Sequence, residues 1–130
     1  MSEADKFLGG FIREKLLNLH TAMPCRVVSY DEGRRRATVQ PLYMSKEYGK
    51  PPGPMALVEN VPVLSQRFRI NGSSDTYDYT PVYQPGDVVF VAFSERALDA
   101  VLAAPGQVVS PDSDRHHNIN DAVILGVMVI

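Results

Sequence analysis

The side chains best suited to chemistry sit in one polar stretch that holds Asp112, Asp114, His116, His117 and Asp121. Imidazoles and carboxylates together can hold a divalent cation and activate a water molecule on it. The spacing works against that use. Adjacent histidines project to opposite sides of an extended chain, and neither a helical His-x-x-x-His pair nor paired cysteines accompany them. The remaining histidine, His20, lies far away in sequence. A metal-dependent hydrolase would need ligands converging from several elements, and one loop supplies them all. Asp112, Asp114, Arg115, His116, His117 and Asp121 are therefore read as a hydrogen-bonded polar loop at the rim of a domain. No catalytic residue, metal or cofactor is expected.

Two other groups carry charge. Arg34, Arg35 and Arg36 form a basic run whose guanidinium groups could reach phosphate or a partner's carboxylates. A single-stranded nucleic-acid surface would interleave such a patch with aromatic rings, but only Tyr30 and Tyr43 are near and tryptophan is absent. Glu95, Arg96 and Asp99 fit a surface salt-bridge cluster, worth at most about 1 kcal/mol. A P-loop, a Gly-x-Gly-x-x-Gly and a Gly-x-Ser-x-Gly are all missing. The formal charge of −2 gives no general attraction to nucleic acid or to an anionic membrane. The lone Cys25 excludes an intramolecular disulfide and reads as a small buried hydrophobe. No run approaches the ~18 apolar residues of a membrane span, and the N-terminal segment lacks the apolar centre of a signal peptide. Synthesis in a reducing compartment, in soluble form, is the expectation.

The element that must position these groups runs from Pro85 to Asp99. Pro85 and Gly86 suit the two inner positions of a type II turn. Val88 to Phe93 is apolar without a break and too short for a helix, so it predicts a central strand covered on both faces. Ser94 can cap a following helix, with Ala97, Leu98, Val101 and Leu102 on one face and Pro105-Gly106 as its stop. This short helix is expected to pack on the barrel. Burying Val88, Phe90, Phe93, Leu98 and Val101 at roughly 1.5–3 kcal/mol each would seed a core.

At 130 residues the chain fits one such core. Leu8, Phe11, Ile12, Leu16 and Leu19 recur at helical spacing and predict an amphipathic helix from about Asp5 to His20, a segment (1–22) set apart from a β domain (23–130). Residues 25–31 and 35–42 predict a hairpin around Glu32-Gly33-Arg34. Gly49, Pro51, Pro52, Gly53 and Pro54 predict an extended loop over 44–57. Val58 to Leu64 reads as a strand that Pro62 confines to an edge. Arg67–Ile70 and a Thr/Tyr segment reaching Val82 suit a second hairpin around Asn71-Gly72. Ala122 to Ile130 is nine residues without a polar side chain, which predicts a strand covered on one face by its own barrel and on the other by a neighbour. Five or so short strands with a covering helix describe a small, mainly β barrel.

Several segments resemble the N-terminal OB-fold domain of central spike proteins from contractile phage tails and related baseplates. They are Arg26 to Asp31, Ala37 to Leu42, Val61-Pro62-Val63, Pro85 to Phe93, Ser94-Glu95-Arg96 with Leu98-Asp99, and Asp112 to His117 with Asp121-Ala122. Together they cover most of the chain. The resemblance implies an OB-type barrel, three copies of which assemble around the tail axis, join the baseplate hub and lead toward a piercing tip. It implies virion location, membrane penetration as part of a host-envelope-crossing particle, and no catalytic site. Piercing members continue into a β-helix and a His-x-His tip, whereas this sequence ends at Ile130 and His116-His117 is a different motif. A separate spike-tip protein or a blunt hub plug is therefore expected, with no stable membrane insertion by this chain alone and no nucleic-acid partner. The assembly surface is expected at Val123, Leu125, Val127 and Val129, and at Phe11, Ile12 and Leu16 of the helix. A nucleic-acid-binding OB domain is the alternative class, and a metal-dependent hydrolase is a more distant one.

Overall fold

The computed structural model describes residues 2–45, 49–111 and 113–130. In chain order its elements are α1 (Glu3–Leu17), β1 (Ala22–Asp31), β2 (Arg36–Pro41), β3 (Met44–Ser45), β4 (Gly53–Pro54), β5 (Val58–Pro62), β6 (Gln66–Arg69), β7 (Thr76–Tyr79), β8 (Val88–Phe93), α2 (Asp99–Ala103), a 3-10 turn (Ile119–Asp121) and β9 (Ala122–Val127). The fold is mainly β. Its body is a five-stranded antiparallel sheet in the order β5-β2-β1-β8-β9.

β1 is the spine because it is long enough to serve two partners. Ala22–Arg26 pairs with β8, and Cys25–Asp31 pairs with β2. Extra residues in three ladders bend the sheet: Val28 opposite β2, Asn60 in β5 with φ 57°, and Leu125 opposite β8. Each such bulge adds local twist to its strand. The sheet curls into a half-barrel, and its two edges meet through a parallel bridge between Val63 and Ile124. Alternate residues point inward, so the core is built largely from Val27, Val39, Val61, Val89, Val91 and Ile124. Cys25 belongs to this core, where burial pushes its thiol up to about 11.

The predicted reversal ahead of β8 is present. Asp87 N donates to Gln84 O at 3.1 Å, and Gly86 takes φ 96°, a value that glycine reaches without the penalty of a side chain. β8 is paired on both sides, yet its faces differ: Val89, Val91 and Phe93 are buried while Phe90 is 39% exposed. The expectation of cover on both faces fails within the protomer. The helix expected to supply that cover is reduced to α2, which has no buried residue. Ser94 does not cap it, because its amide is drawn to Asp121 O at 2.9 Å and Leu98 stands at the cap instead.

Other boundaries also shift. α1 starts earlier and ends earlier than the apolar spacing predicts, with Ser2 and Asp5 closing a reciprocal capping box and Asn18 ending it. The 44–57 excursion holds a minimal ladder, Met44 with Pro54 and Ser45 with Gly53, where only loop is expected. β7 ends at Tyr79 rather than Val82, and β9 ends at Val127 rather than Ile130. β5 does lie at a sheet edge, as Pro62 requires.

Ile124 is fully buried, pairs with Val91 and forms the bridge that joins the edges. Ile124→Ala is expected to cost about 2–5 kcal/mol in denaturant unfolding. Val108→Ala, at a fully exposed site, should change stability by less than about 0.5 kcal/mol.

Candidate assembly surface and rim loop

The polar loop is organised by one carboxylate. Asp121 is 2% exposed at the start of β9. Its Oδ2 accepts from Arg115 Nε at 3.0 Å, and its Oδ1 accepts from Arg115 Nη2 at 2.9 Å and from Leu98 N at 3.2 Å. Arg115 Nη2 also donates to Asp99 Oδ2 at 2.9 Å. Hydrogen bonds to Asp121 first, and to Asp99 second, raise the guanidinium pKa further above its already basic value. A two-pronged pair of this geometry fixes direction as well as distance. It ties the loop to the start of α2 and to β9.

The neighbouring residues extend the same frame. Arg96 Nη2 donates to Ser113 O at 3.0 Å, and residues 96 and 116 form an antiparallel bridge. Asp114 is exposed and only 4.0 Å from Arg96 Nη2. His116 Nδ1 lies 2.8 Å from Asp114 O, so that nitrogen carries the proton. His117 takes φ 44°, its amide donates to Glu95 O at 3.2 Å, and its carbonyl accepts from His20 N at 3.1 Å. The imidazole of His20 packs on Phe93 at 5.6 Å between ring centres, and burial lowers its pKa. Asp112 lies outside the described residues. Among the described residues, no three His, Cys, Asp or Glu side chains gather as a metal site. The predicted rim loop is thus a clamp, in which Asp121 and Arg115 are occupied by each other.

Arg34 and Arg36 are similarly engaged, by their own turn and by β5. Arg34 N donates to Asp31 Oδ1, Arg34 Nη2 to Asn60 Oδ1, and Arg36 Nη1 to the carbonyls of Arg34 and Arg35. Arg34 and Arg36 border an open depression of about 310 Å³ that also holds Asp31 and Glu59, so its lining is of mixed charge.

The apolar surface falls at two ends of the barrel. Ala22 and Val123 both pair with Ala92, so α1 leads into the end that carries the rim loop. Val127 pairs with Val89, and Met128 N donates to Val88 O at 2.8 Å, which puts the last residues at the opposite end. At the first end Phe11, Ile12 and Leu16 are exposed on α1, a helix with no buried residue. At the second end Leu125, Val127 and Val129 are exposed, while Val123 is half-buried nearer the rim. The seven candidate positions therefore form two separate surfaces. A third feature is the predicted β6–β7 hairpin, whose eight strand residues are all exposed and whose value as a surface sequence reasoning did not single out. The alternation Thr76-Tyr77-Asp78-Tyr79 is the signal that one face of it is aromatic.

Residues 23–126 match the family described as phage protein Gp138, N-terminal domain. The chain belongs to this family. It is a phage protein domain, which fits a structural component. No curated protein matches the sequence. The Gp138 N-terminal match opens one residue inside β1 and closes one residue before the end of β9, so it spans the barrel and leaves α1 outside. Among the described residues no helix is long and apolar enough to cross a membrane.

Two outcomes follow from the clamp. Asp121→Ala leaves the part-buried Leu98 amide without its acceptor and should cost about 1–3 kcal/mol in thermal or denaturant unfolding, whereas His116→Ala should unfold like the wild type. Burial favours neutral His20 in the fold, so stability should decline as pH falls through the ordinary imidazole range near about 6.5. Chemical denaturation between pH 7 and 5 should show a shallower decline for His20→Asn.

Proposed function

We propose that this chain is a structural subunit of the central spike or baseplate hub of a phage tail or tail-like particle, assembling as a homotrimer on the tail axis and linking hub to tip. The observation that carries this reading is the traverse of the barrel: an unburied amphipathic helix leads in at one end, and a largely exposed apolar stretch, Leu125 to Ile130, leads out at the other. Membership of a phage protein family supports it. The OB-type description draws support from topology. Counting only the five strands of the main sheet, their spatial order is 3-2-1-4-5 with a parallel bridge between the edges, as suits a five-stranded, partly open barrel.

In this reading α1 meets the baseplate hub protein, and the exposed C-terminal edge joins the protomers of the trimer. The role is mechanical, with no catalytic step and no cofactor. The protein resides in the virion and needs neither nucleic acid nor stable insertion in a membrane. Exposed apolar surface at both ends supports association, since isolated soluble domains seldom leave so many large apolar side chains in water.

Light scattering coupled to size exclusion should give three times the 14.4 kDa chain mass. Val127→Asp should yield a folded monomer by circular dichroism. A wild-type monomer at micromolar concentration would overturn the trimer. Steeply salt-dependent DNA binding would favour the nucleic-acid alternative instead.

A further inference from the structure

We infer that the β6–β7 hairpin is an arm that docks its aromatic face on the C-terminal apolar edge of a second copy of this chain. This rests on the trimeric reading above and specifies the contact that would close it.

The register fixes the two faces of the arm. Arg67 pairs with Asp78 and Arg69 with Thr76, so these four share one side, and the Arg67–Asp78 ion pair is 2.7 Å long. Phe68 pairs with Tyr77, and Phe68 meets Tyr79 edge to face at 5.0 Å, so the other side is aromatic. All are exposed. A two-stranded hairpin is marginal in water when nothing covers its apolar side. Its fixed aromatic pairing therefore calls for a partner.

The partner's chemistry follows from what lies at the same end of the barrel. The bridge between Val63 and Ile124 makes the chain leave for β6 beside the later part of β9, and it returns through Val88, next to Met128. Leu125 and Val127 are exposed there, so the protomer's own arm leaves this edge uncovered. Residues 122–130 carry no charged side chain, and neither does the aromatic side of the arm. Joining the two buries no unpaired charge, which is the usual cost of covering a surface. The polar side of the arm stays in water. Because the aromatic patch and the aliphatic edge differ, the contact is head to tail, and head-to-tail contacts close into rings when the rotation permits. A threefold ring satisfies every arm and every edge.

Two single variants and their mixture test this. Phe68→Glu should damage the arm and Leu125→Glu the edge, each raising the apparent dissociation constant roughly tenfold or more, with an unchanged circular dichroism spectrum. Arg67→Gln, on the polar side, should leave the trimer intact. Tyr79→Ser serves as a milder arm variant if Phe68→Glu perturbs the fold. Mixing the arm and edge variants leaves one intact arm facing one intact edge, so a one-to-one complex should appear at concentrations where neither self-associates. A wild-type trimer that survives the arm variants overturns this inference and spares the trimeric reading. Arm and edge variants that both dissociate yet fail to complement overturn the arm-to-edge pairing. Arm-dependent binding to neutral phosphatidylcholine vesicles by a monomeric wild type would overturn both, identifying the aromatic face as a membrane contact.

Discussion

A sheet with one apolar face must bury that face against something, and among the described residues no α-helix lies on it. α2 is too short and has no buried residue, and α1 is exposed along its whole length. The five strands bury their inner side mostly against each other, with Tyr83, Met55 and Ile119 from the connections adding to the cover. That constraint explains the curl, the three bulges and the small size of the core residues. Valine is the commonest core residue, as suits β-branched side chains packing on a pleated inner face. It also explains why the seam matters: when Val63 and Ile124 meet, the remaining opening between the edges is shortened.

The same constraint governs the polar loop. A curled sheet is open at its rims, and at one rim the chain between β8 and β9 must cross without burying unpaired backbone groups. Asp121 solves this by accepting three hydrogen bonds, one from backbone and two from Arg115, just before β9 begins. The residues that most resemble a catalytic cluster therefore act as a joint. Asp121 and Arg115 are each other's partners, whereas the buried Nδ1 of His117 has no hydrogen-bond partner among the described residues.

Much of the fold was legible in sequence because local physics set it. The Pro85-Gly86 turn, the β1–β2 hairpin, the Asn71-Gly72 hairpin and the edge placement of Pro62 all came from backbone restrictions that tertiary context did not overrule. The helix after β8 was overextended for a different reason. Ala97, Leu98, Val101 and Leu102 have helical spacing, yet the backbone of Ser94 pairs with Asp121 and residue 96 bridges to residue 116, leaving only Asp99–Ala103 free to coil. Those competing partners lie more than fifteen residues away, beyond any local pattern. Unbroken apolar runs were ambiguous in another way. Val88–Phe93 and Ala122–Val127 each bury only part of their apolar residues in the protomer, and sequence alone cannot say whether the uncovered part meets water or a neighbour.

The direction of the chain through the barrel has a mechanical consequence. β1 and β9 both run away from the rim loop, with β8 antiparallel between them. A force that pulls on α1 and on the C-terminal end draws β1 and β9 in opposite directions along their own axes. The hydrogen bonds between β1, β8 and β9 lie across that axis. They are loaded together in shear, so none can be peeled open ahead of the rest. A hairpin grasped at its two ends would instead unzip one bond at a time. A tensile load along the barrel is thus shared by a whole ladder, a geometry that resists rupture without any bond being individually strong.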